Sequence, residues 1–159
     1  MAEAGYPNGV EVEFYAYRNR PYAEAMMGFM AKVGVKANLN WMKYSALRDK
    51  VRANEVPFHL LTWGPGAVND IANITAHFFD GRADVTALDA DVKKLIDAGG
   101  ATIVPAERKK HYAEALRLIA ERSHWLPLFS YTYFYGMKDE LDFQPTPDEI
   151  VHLYRAKWK

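Results

Sequence analysis

Three stretches of the chain have the hydrophobic pattern of β-strands. In residues 10–17 apolar side chains alternate with polar ones such as Glu11 and Glu13, and residues 35–42 alternate in the same way. Alternation of this kind is typical of a strand with one buried face. Residues 57–63 are apolar almost throughout, which indicates a strand buried on both faces.

Apolar residues at helical spacing follow each of these strands. Prolines, glycines and capping residues mark where the predicted helices begin and end. The three helices run from Pro21 to Gly34, from a capping Ser45 to about Asn54, and over residues 72–79 after a capping Asn69 or Asp70. The resulting β-α-β-α-β-α order predicts an α/β fold, with a mixed sheet and helices on both of its faces.

The second half of the chain changes character. The pattern predicts a helix from about Asp89 to the Gly99–Gly100 pair and a longer helix that begins at Pro105. An aromatic stretch, residues 125–135, follows, and its Pro127 indicates the start or the edge of a strand. Residues 138–159 are interpreted as a wrapping tail with an amphipathic piece over 149–158, so that residues 1–159 form a single lobe.

Charge and cysteine content exclude several classes of protein. Twenty basic and twenty acidic residues cancel, and no basic run is present, which argues against a general binder of nucleic acids or anionic membranes. Without cysteine, neither a disulfide nor a thiolate metal site is possible. No apolar run approaches the ~20 residues that span a bilayer, and the first residues lack the pattern of a signal peptide.

The candidate ligand-binding residues follow the ends of the first and third predicted strands. Loops at the carboxyl ends of strands hold the ligands of open α/β sheets. Trp63 offers a stacking surface, Asn69 a hydrogen bond, and Arg20 a positive charge beside a helix N-terminus that favours an anion. The complete predicted set is Tyr17, Arg20, Trp63, Gly64, Pro65, Gly66, Asn69 and Asp70.

The same residues have structural interpretations that stay open at this point. Residues 63–70 also fit a tight turn between strand and helix with Trp63 in the core, and Arg20 also fits an ordinary surface charge. Tyr131, Tyr133 and Tyr135 alternate, so they either line a cleft or pack against a neighbouring strand.

Catalytic and metal-binding patterns are missing from the sequence. No two of the five histidines have the i, i+4 spacing of a helical zinc pair, and His59 fits a core position. There is no G-x-S-x-G, P-loop or G-x-G-x-x-G pattern. We therefore expect no catalytic residue, metal site or cofactor.

Six phrases, in order along the chain, resemble one known family. They are residues 3–9 (EAGYPNG), 20–22, 31–35, 58–63, 105–115 and 125–128. Together they resemble the carboxy-terminal part of a family 5 extracellular solute-binding protein, the peptide/nickel group of receptors for ABC importers. Residues 154–159 resemble the end of such a receptor.

This resemblance implies a periplasmic-binding-protein-like lobe (type II, cluster C) and a fragment of a two-lobe receptor. It implies a peptide or other small solute as ligand, the missing N-terminal lobe and a membrane permease as partners, and a periplasmic location. Peptide receptors of the family carry an Asp shortly after the Trp, where this chain has Gly66, with Asp70 as a possible substitute. An ordinary peptide with a free N-terminus is therefore in doubt as the ligand.

Two other hypotheses are kept. One is a small stand-alone α/β enzyme that uses the loop over residues 63–70. The other is a free-standing interaction domain with exposed apolar surface.

Overall fold

The computed structural model describes residues 1–64, 70–81, 87–146, 148 and 150–159. The chain divides into two compact units, Met1–Thr62 and Trp63–Lys159. Each unit is described by itself. The single lobe and the wrapping tail remain predictions.

The first unit is built on a pair of parallel strands. Strand β1 (Val10–Ala16) pairs with β2 (Val35–Trp41) from Val10 opposite Val35 to Ala16 opposite Trp41. Helix α1 (Arg20–Lys32) connects them and packs on β2, and helix α2 (Tyr44–Arg52) follows. The first two predicted strands and the first helix are confirmed to within one or two residues.

One face of the ladder is the core of this unit. Phe14, Ala16, Ala23 and Ala37 are buried there, and Met26, Met27, Met30, Val12, Leu39 and Leu60 pack against them. The methionines are core residues because they lie on the face of α1 that meets the strands. A fully buried side chain such as Phe14 contributes about 1.5–3 kcal/mol, so this patch explains why the amphipathic α1 folds onto the ladder.

The other face of the ladder is polar. Glu11 and Glu13 of β1 accept hydrogen bonds from Asn38 on the neighbouring strand, at 2.8 and 3.1 Å. Asn40 also donates to Glu13, and Lys36 approaches Glu11 at 3.3 Å. The alternation in the sequence therefore predicted which side chains turn away from the core.

The third predicted strand, over residues 57–63, is wrong in extent. Only His59 forms a bridge, parallel to Tyr15, where the N–H of Tyr15 donates to the carbonyl of Phe58 and the N–H of Leu60 to that of Tyr15. An apolar run alone therefore did not produce a ladder, because a strand needs several successive paired residues and not only a hydrophobic pattern. Burial lowers the pKa of His59, as expected for a histidine near the core.

The described residues of the second unit form three α-helices. They are α3 (Ile71–Phe79), α4 (Ala90–Ala101) and α5 (Pro105–Glu121). Asp70 caps α3, one of the two alternatives that the sequence offered, and Asp89 caps α4, whose start was predicted at about this residue. The cap predicted at Ser45 is wrong, because α2 begins at Tyr44 with Lys43 as its N-cap.

Helices α4 and α5 form a hairpin with its own core. Residues three or four positions apart on each helix are buried between them: Val92, Ile96 and Gly99 of α4, and Tyr112, Ala115 and Ile119 of α5. Gly99 allows the close approach, since a Cβ added there would lie 2.8 Å from Cε2 of Tyr112. Helix α3 packs on α4 and buries Phe78 and Phe79.

The end of the chain differs from the prediction. Residues 125–138 are neither helix nor strand, because a strand needs a neighbour to pair with and an alternating pattern does not supply one. Strands β3 (Leu141–Asp142) and β4 (Lys157–Trp158) pair antiparallel. In place of the amphipathic piece there is a short 3₁₀ turn, Leu153–Arg155, while Glu149 lies outside the described residues. Helices combined with short strands give the predicted α/β fold. The described strands form two separate two-stranded sheets in place of one larger mixed sheet.

Candidate solute-binding site

The first two predicted site residues belong to the first unit. The hydroxyl of Tyr17, just after β1, shares a 2.6 Å hydrogen bond with Oγ1 of Thr62, and its ring lies 4.9 Å from that of Tyr44. Tyr17 is thus held at both its hydroxyl and its ring. The residue is half-buried, so part of its side chain remains accessible to solvent.

Arg20 is the first residue of α1. Its Nε donates to Oε1 of Glu24 at 2.8 Å, and its guanidinium lies 6.0 Å from the ring of Trp41. The side chain is 59% exposed. Glu24 therefore balances the charge of Arg20 in an exposed ion pair, and such pairs contribute little free energy.

Trp63 belongs to the second unit and lies against α3. Its indole ring is 4.7 Å from the ring of His77 and 5.2 Å, edge-on, from that of Phe78. Phe78 in turn contacts Trp125 at 4.6 Å. The indole is half-buried, so it is packed on one side and accessible on another.

The loop after Trp63 is described only at its ends. Gly64 is exposed, and Asp70 begins α3, while Pro65, Gly66 and Asn69 lie outside the described residues. Both described ends are attached to α3. Trp63 contacts its last turn and Asp70 caps its first, which places these two anchors about 10 Å apart at the helical rise of ~1.5 Å per residue.

Asp70 has two partners among the residues that the structure describes. Its Oδ1 accepts the backbone N–H of Ala72 at 2.8 Å and also accepts from Nη2 of Arg108 on α5. The carboxylate is 44% exposed and Arg108 26% exposed. Asp70 is therefore a helix cap and one member of an ion pair. This pairing could not be predicted from the sequence, because the two residues are 38 positions apart.

The structure adds three residues that the sequence did not single out for this region. His77 and Phe78 form the wall behind the indole, and Arg108 holds Asp70. Arg108 lies in one of the phrases that carry the family resemblance, which was the only available signal.

A cavity of about 320 Å³ lies elsewhere in the second unit. It is lined by Asp142, Gln144, Pro145, Thr146, Arg155 and Lys157, and so contains none of the predicted ligand-binding residues. Among the described helices, none is long and apolar enough to cross a bilayer.

Comparisons with known proteins decide what this arrangement of elements is. The chain superimposes on Haemophilus influenzae OppA in complex with the peptide RPPGFSPFR with a TM-score of 0.80, at 17% identity, over 99% of this chain and 33% of that one. It also matches the ABC transporter-associated periplasmic binding protein DppA from Helicobacter pylori in complex with peptide STSA. There the TM-score is 0.70 at 18% identity, over 80% of this chain and 27% of that one.

The fold is that of the family 5 solute-binding proteins. By sequence, the chain is 26% identical over 141 residues to heme-binding protein A of Haemophilus influenzae, covering 80% of this chain and 26% of that protein. No family model matches the sequence. The resemblance to solute-binding proteins is confirmed, and this chain spans about a quarter to a third of the length of these three relatives.

Proposed function

We propose that this chain is the C-terminal lobe of the substrate-binding component of an ABC importer. The lobe binds a peptide or another small solute outside the cytoplasm and passes it to a membrane permease. The observation that carries this proposal is the fit of 99% of the chain to a third of a peptide-bound solute-binding protein. It acts by binding and performs no covalent chemistry.

The described contacts support a binding role for the region around Trp63. A half-buried indole that is backed by His77 and Phe78 offers a firm stacking surface. The carboxylate of Asp70 adds a polar group, and the exposed Gly64 adds backbone atoms that a ligand can reach. A few polar groups beside an apolar surface are typical of small-molecule sites.

The ligand is enclosed between two lobes in this proposal, so the chain carries part of a site. We expect dissociation constants in the millimolar range, which corresponds to about 4 kcal/mol of binding free energy. A complete receptor would add the contacts of the second lobe and would exclude water by closing on the solute.

The experiment follows the four tryptophan indole N–H signals of the ¹⁵N-labelled chain by NMR, with Trp63→Phe and Trp158→Phe to assign two of them. The probes are the tetrapeptide STSA, the nonapeptide RPPGFSPFR, oxidised glutathione and an opine, mannopinic acid. We expect one probe class to move the Trp63 signal saturably and to leave that of the exposed Trp158 in place. If no probe moves the Trp63 signal, the proposed site is wrong.

A porphyrin is a second candidate ligand, favoured by the name of the relative that the sequence matches, heme-binding protein A. The test adds hemin to the chain and records Trp63 fluorescence quenching, with Trp63→Phe as the control. Quenching that is equal in both proteins would count against a porphyrin at this site.

A further inference from the structure

Helix α1 has a second apolar face beside the one that packs on the strands. We call this face the α1 stripe, and its residues, at intervals of three, four and four positions, are Tyr22, Ala25, Phe29 and Val33. Phe29 is 69% exposed and Val33 is 62% exposed. The neighbouring Met26 and Met30, in contrast, pack against the core of the first unit.

The rest of the exposed surface of α1 is polar or small. At 100° per residue, Arg20 and Glu24, which pair with each other, lie on another side of the helix together with Ala31. Single exposed apolar residues are ordinary on protein surfaces, whereas a continuous apolar patch is typical of an interface. The α1 stripe is such a patch, because it continues along about three turns of one side of the helix.

The spacing of the α1 stripe indicates what kind of element fits against it. Residues three and four positions apart form ridges, and the grooves between these ridges receive the side chains of a second helix. The small Ala25 beside the large Phe29 provides such a groove. Nζ of Lys32 lies 5.2 Å from the centre of the Phe29 ring, so a positive charge borders the stripe. The partner that fits is an amphipathic helix with acidic residues along one edge of its apolar face.

Met1 lies beside the C-terminal end of the α1 stripe. A Cβ added to Gly34, the residue after Val33, would be 3.6 Å from Cγ of Met1. The carbonyl of Met1 accepts the N–H groups of Ala4 and Tyr6, at 3.1 and 3.0 Å, and this fixes the position of Met1. This chain covers 33% of OppA, the solute-binding protein on which 99% of it superimposes. In a receptor of that length, polypeptide joined to Met1 starts next to the stripe.

We propose that the α1 stripe is the docking surface for an amphipathic helix from the part of the receptor that precedes Met1. This helix covers Phe29 and Val33 and places its acidic edge beside Lys32. The inference rests on the proposed function, because it requires that this chain is one part of a longer receptor. The second apolar face of α1 thus joins the chain to the rest of the receptor and does not bind solute.

The test uses single cysteines, which react selectively because the chain contains no other cysteine. Ala25→Cys places a thiol in the α1 stripe, and Ala31→Cys places one at an exposed position on another side of the same helix. The rate of reaction with N-ethylmaleimide is measured for both variants, in residues 1–159 alone and in the complete receptor.

We expect the two thiols to react at similar rates in residues 1–159 alone. In the complete receptor the Ala25→Cys thiol should react about ten-fold more slowly or less, since a covered thiol reacts only after local opening. The Ala31→Cys thiol should keep its rate. Equal rates of the two thiols in the complete receptor would show that the stripe is open and would overturn the proposal.

Two other results would assign the α1 stripe to a different partner and so overturn the proposal. Slow reaction of the Ala25→Cys thiol in residues 1–159 at every protein concentration would mean that another part of this chain covers the stripe. Slow reaction only at high concentration, relieved by adding Phe29→Ser, would mean that a second copy covers it.

A second measurement compares the stability of the two proteins. Phe29→Ser should lower the melting temperature of the complete receptor by several degrees, because it removes an apolar side chain from a buried interface. The same substitution should leave the melting temperature of residues 1–159 nearly unchanged, because Phe29 is exposed there. Equal effects in both proteins would overturn the proposal.

The proposed function can fail separately from this docking surface. If no peptide probe moves the Trp63 signal but the Ala25→Cys thiol is protected in the complete receptor, the solute site is wrong and the docking surface stands. If a probe moves the Trp63 signal and the thiol is not protected, the docking surface alone is wrong.

Discussion

Asp70 and Asp89 perform the same local task in two different environments. Each caps a helix of the second unit and each binds an arginine of α5 or of its C-terminal end. Asp89, however, accepts two hydrogen bonds from Arg122, at 2.7 and 2.6 Å, and a third contact from His124 at 2.7 Å. Its side chain is only 9% exposed, against 44% for Asp70.

The two carboxylates therefore form two joints, which here means ion pairs that connect elements of the second unit. The Asp89 cluster ties the start of α4 to the end of α5 and closes the hairpin on itself. The Asp70–Arg108 pair ties the same hairpin to the end of the candidate loop, where the carboxylate is still reached by water. Both ion pairs use arginines of the α4–α5 hairpin, so a substitution in the core of the hairpin should disturb both of them.

Substituting Gly99 should have the largest effect. Gly99→Ala places a Cβ 2.8 Å from the Tyr112 ring, which forces the hairpin apart and moves the carbonyl that holds Arg108. We expect a loss of about 1–3 kcal/mol of unfolding free energy, typical of overpacking.

Gly100→Ala is the matched control, because the nearest atom to its added Cβ is the hydroxyl of Tyr112 at 3.8 Å. It should be neutral or stabilising by up to about 1 kcal/mol through helix propensity. Urea denaturation measures both, and equal effects of the two substitutions would contradict the close contact at Gly99.

Removing each carboxylate charge in turn should show which of the two ion pairs contributes more to the melting temperature. Asp89→Asn keeps a cap but loses the pairing with Arg122 and His124, and we expect the melting temperature to fall by several degrees. Asp70→Asn should lower it by less than half as much, because Asp70 is far more exposed and exposed pairs are weak. Thermal melts at pH 7 compare the two. A larger fall in melting temperature for Asp70→Asn than for Asp89→Asn would show that Asp70, and not Asp89, contributes more to stability.

The Asp89 cluster should also be sensitive to acid. Arg122 foremost, and then His124, hold the pKa of Asp89 well below its usual range. A lowered pKa contributes stability above the unfolded value of about 3.9, and this contribution is lost as the pH falls through the folded pKa.

Urea midpoints of wild type and Asp89→Asn between pH 6 and pH 3 measure this contribution. The difference in urea midpoint between wild type and Asp89→Asn should become smaller toward pH 3. Asp148, whose pKa is lowered to about 2 by Thr146 and then His152, titrates equally in both proteins and cancels from the difference. A gap that is constant with pH would show that the charge of Asp89 contributes nothing.

The smallest effect is expected at Lys93. Its Nζ lies 2.8 Å from Oδ2 of Asp97, one turn along the exposed side of α4, with 45% and 57% of the side chains exposed. Lys93→Met should change the melting temperature by about one degree or less, as for other exposed helical pairs. It gives the baseline against which the two joints are judged, and a fall as large as that of Asp89→Asn would make the ranking by burial wrong.

Local signals predicted the elements whose limits are set locally. Pro105 and Asp89 start their helices where the sequence indicates, since a fixed φ angle or a capping carboxylate acts within one turn. Residues 57–63 and the aromatic stretch 125–135 did not become strands, because a strand is defined by a partner that can lie far away in the sequence. For the same reason the pairing of Arg108 with Asp70 was invisible, although Asp70 itself had been selected.

The candidate site was predicted in parts. Trp63 is half-buried and lies beside the ring of His77. Arg20 and Tyr17 have partners within the first unit. Their part in binding a solute stays a prediction. A single sequence does not show which residues become neighbours in space. Those neighbours decide whether a charged side chain is already paired or can bind a ligand.

The parallel strands begin at a contact that leaves no room for change. Gly9 and Gly34 have φ angles of 84° and 86°, and a Cβ on Gly9 would lie 2.5 Å from the carbonyl oxygen of Gly34, which accepts from the N–H of Val10. This end therefore sets the register of every later pair, and a slip by one residue would exchange the two faces of the strand. Insertions and deletions acquired during evolution should accumulate at the opposite end, after Ala16 and Trp41, where the chain can change length without disturbing the ladder.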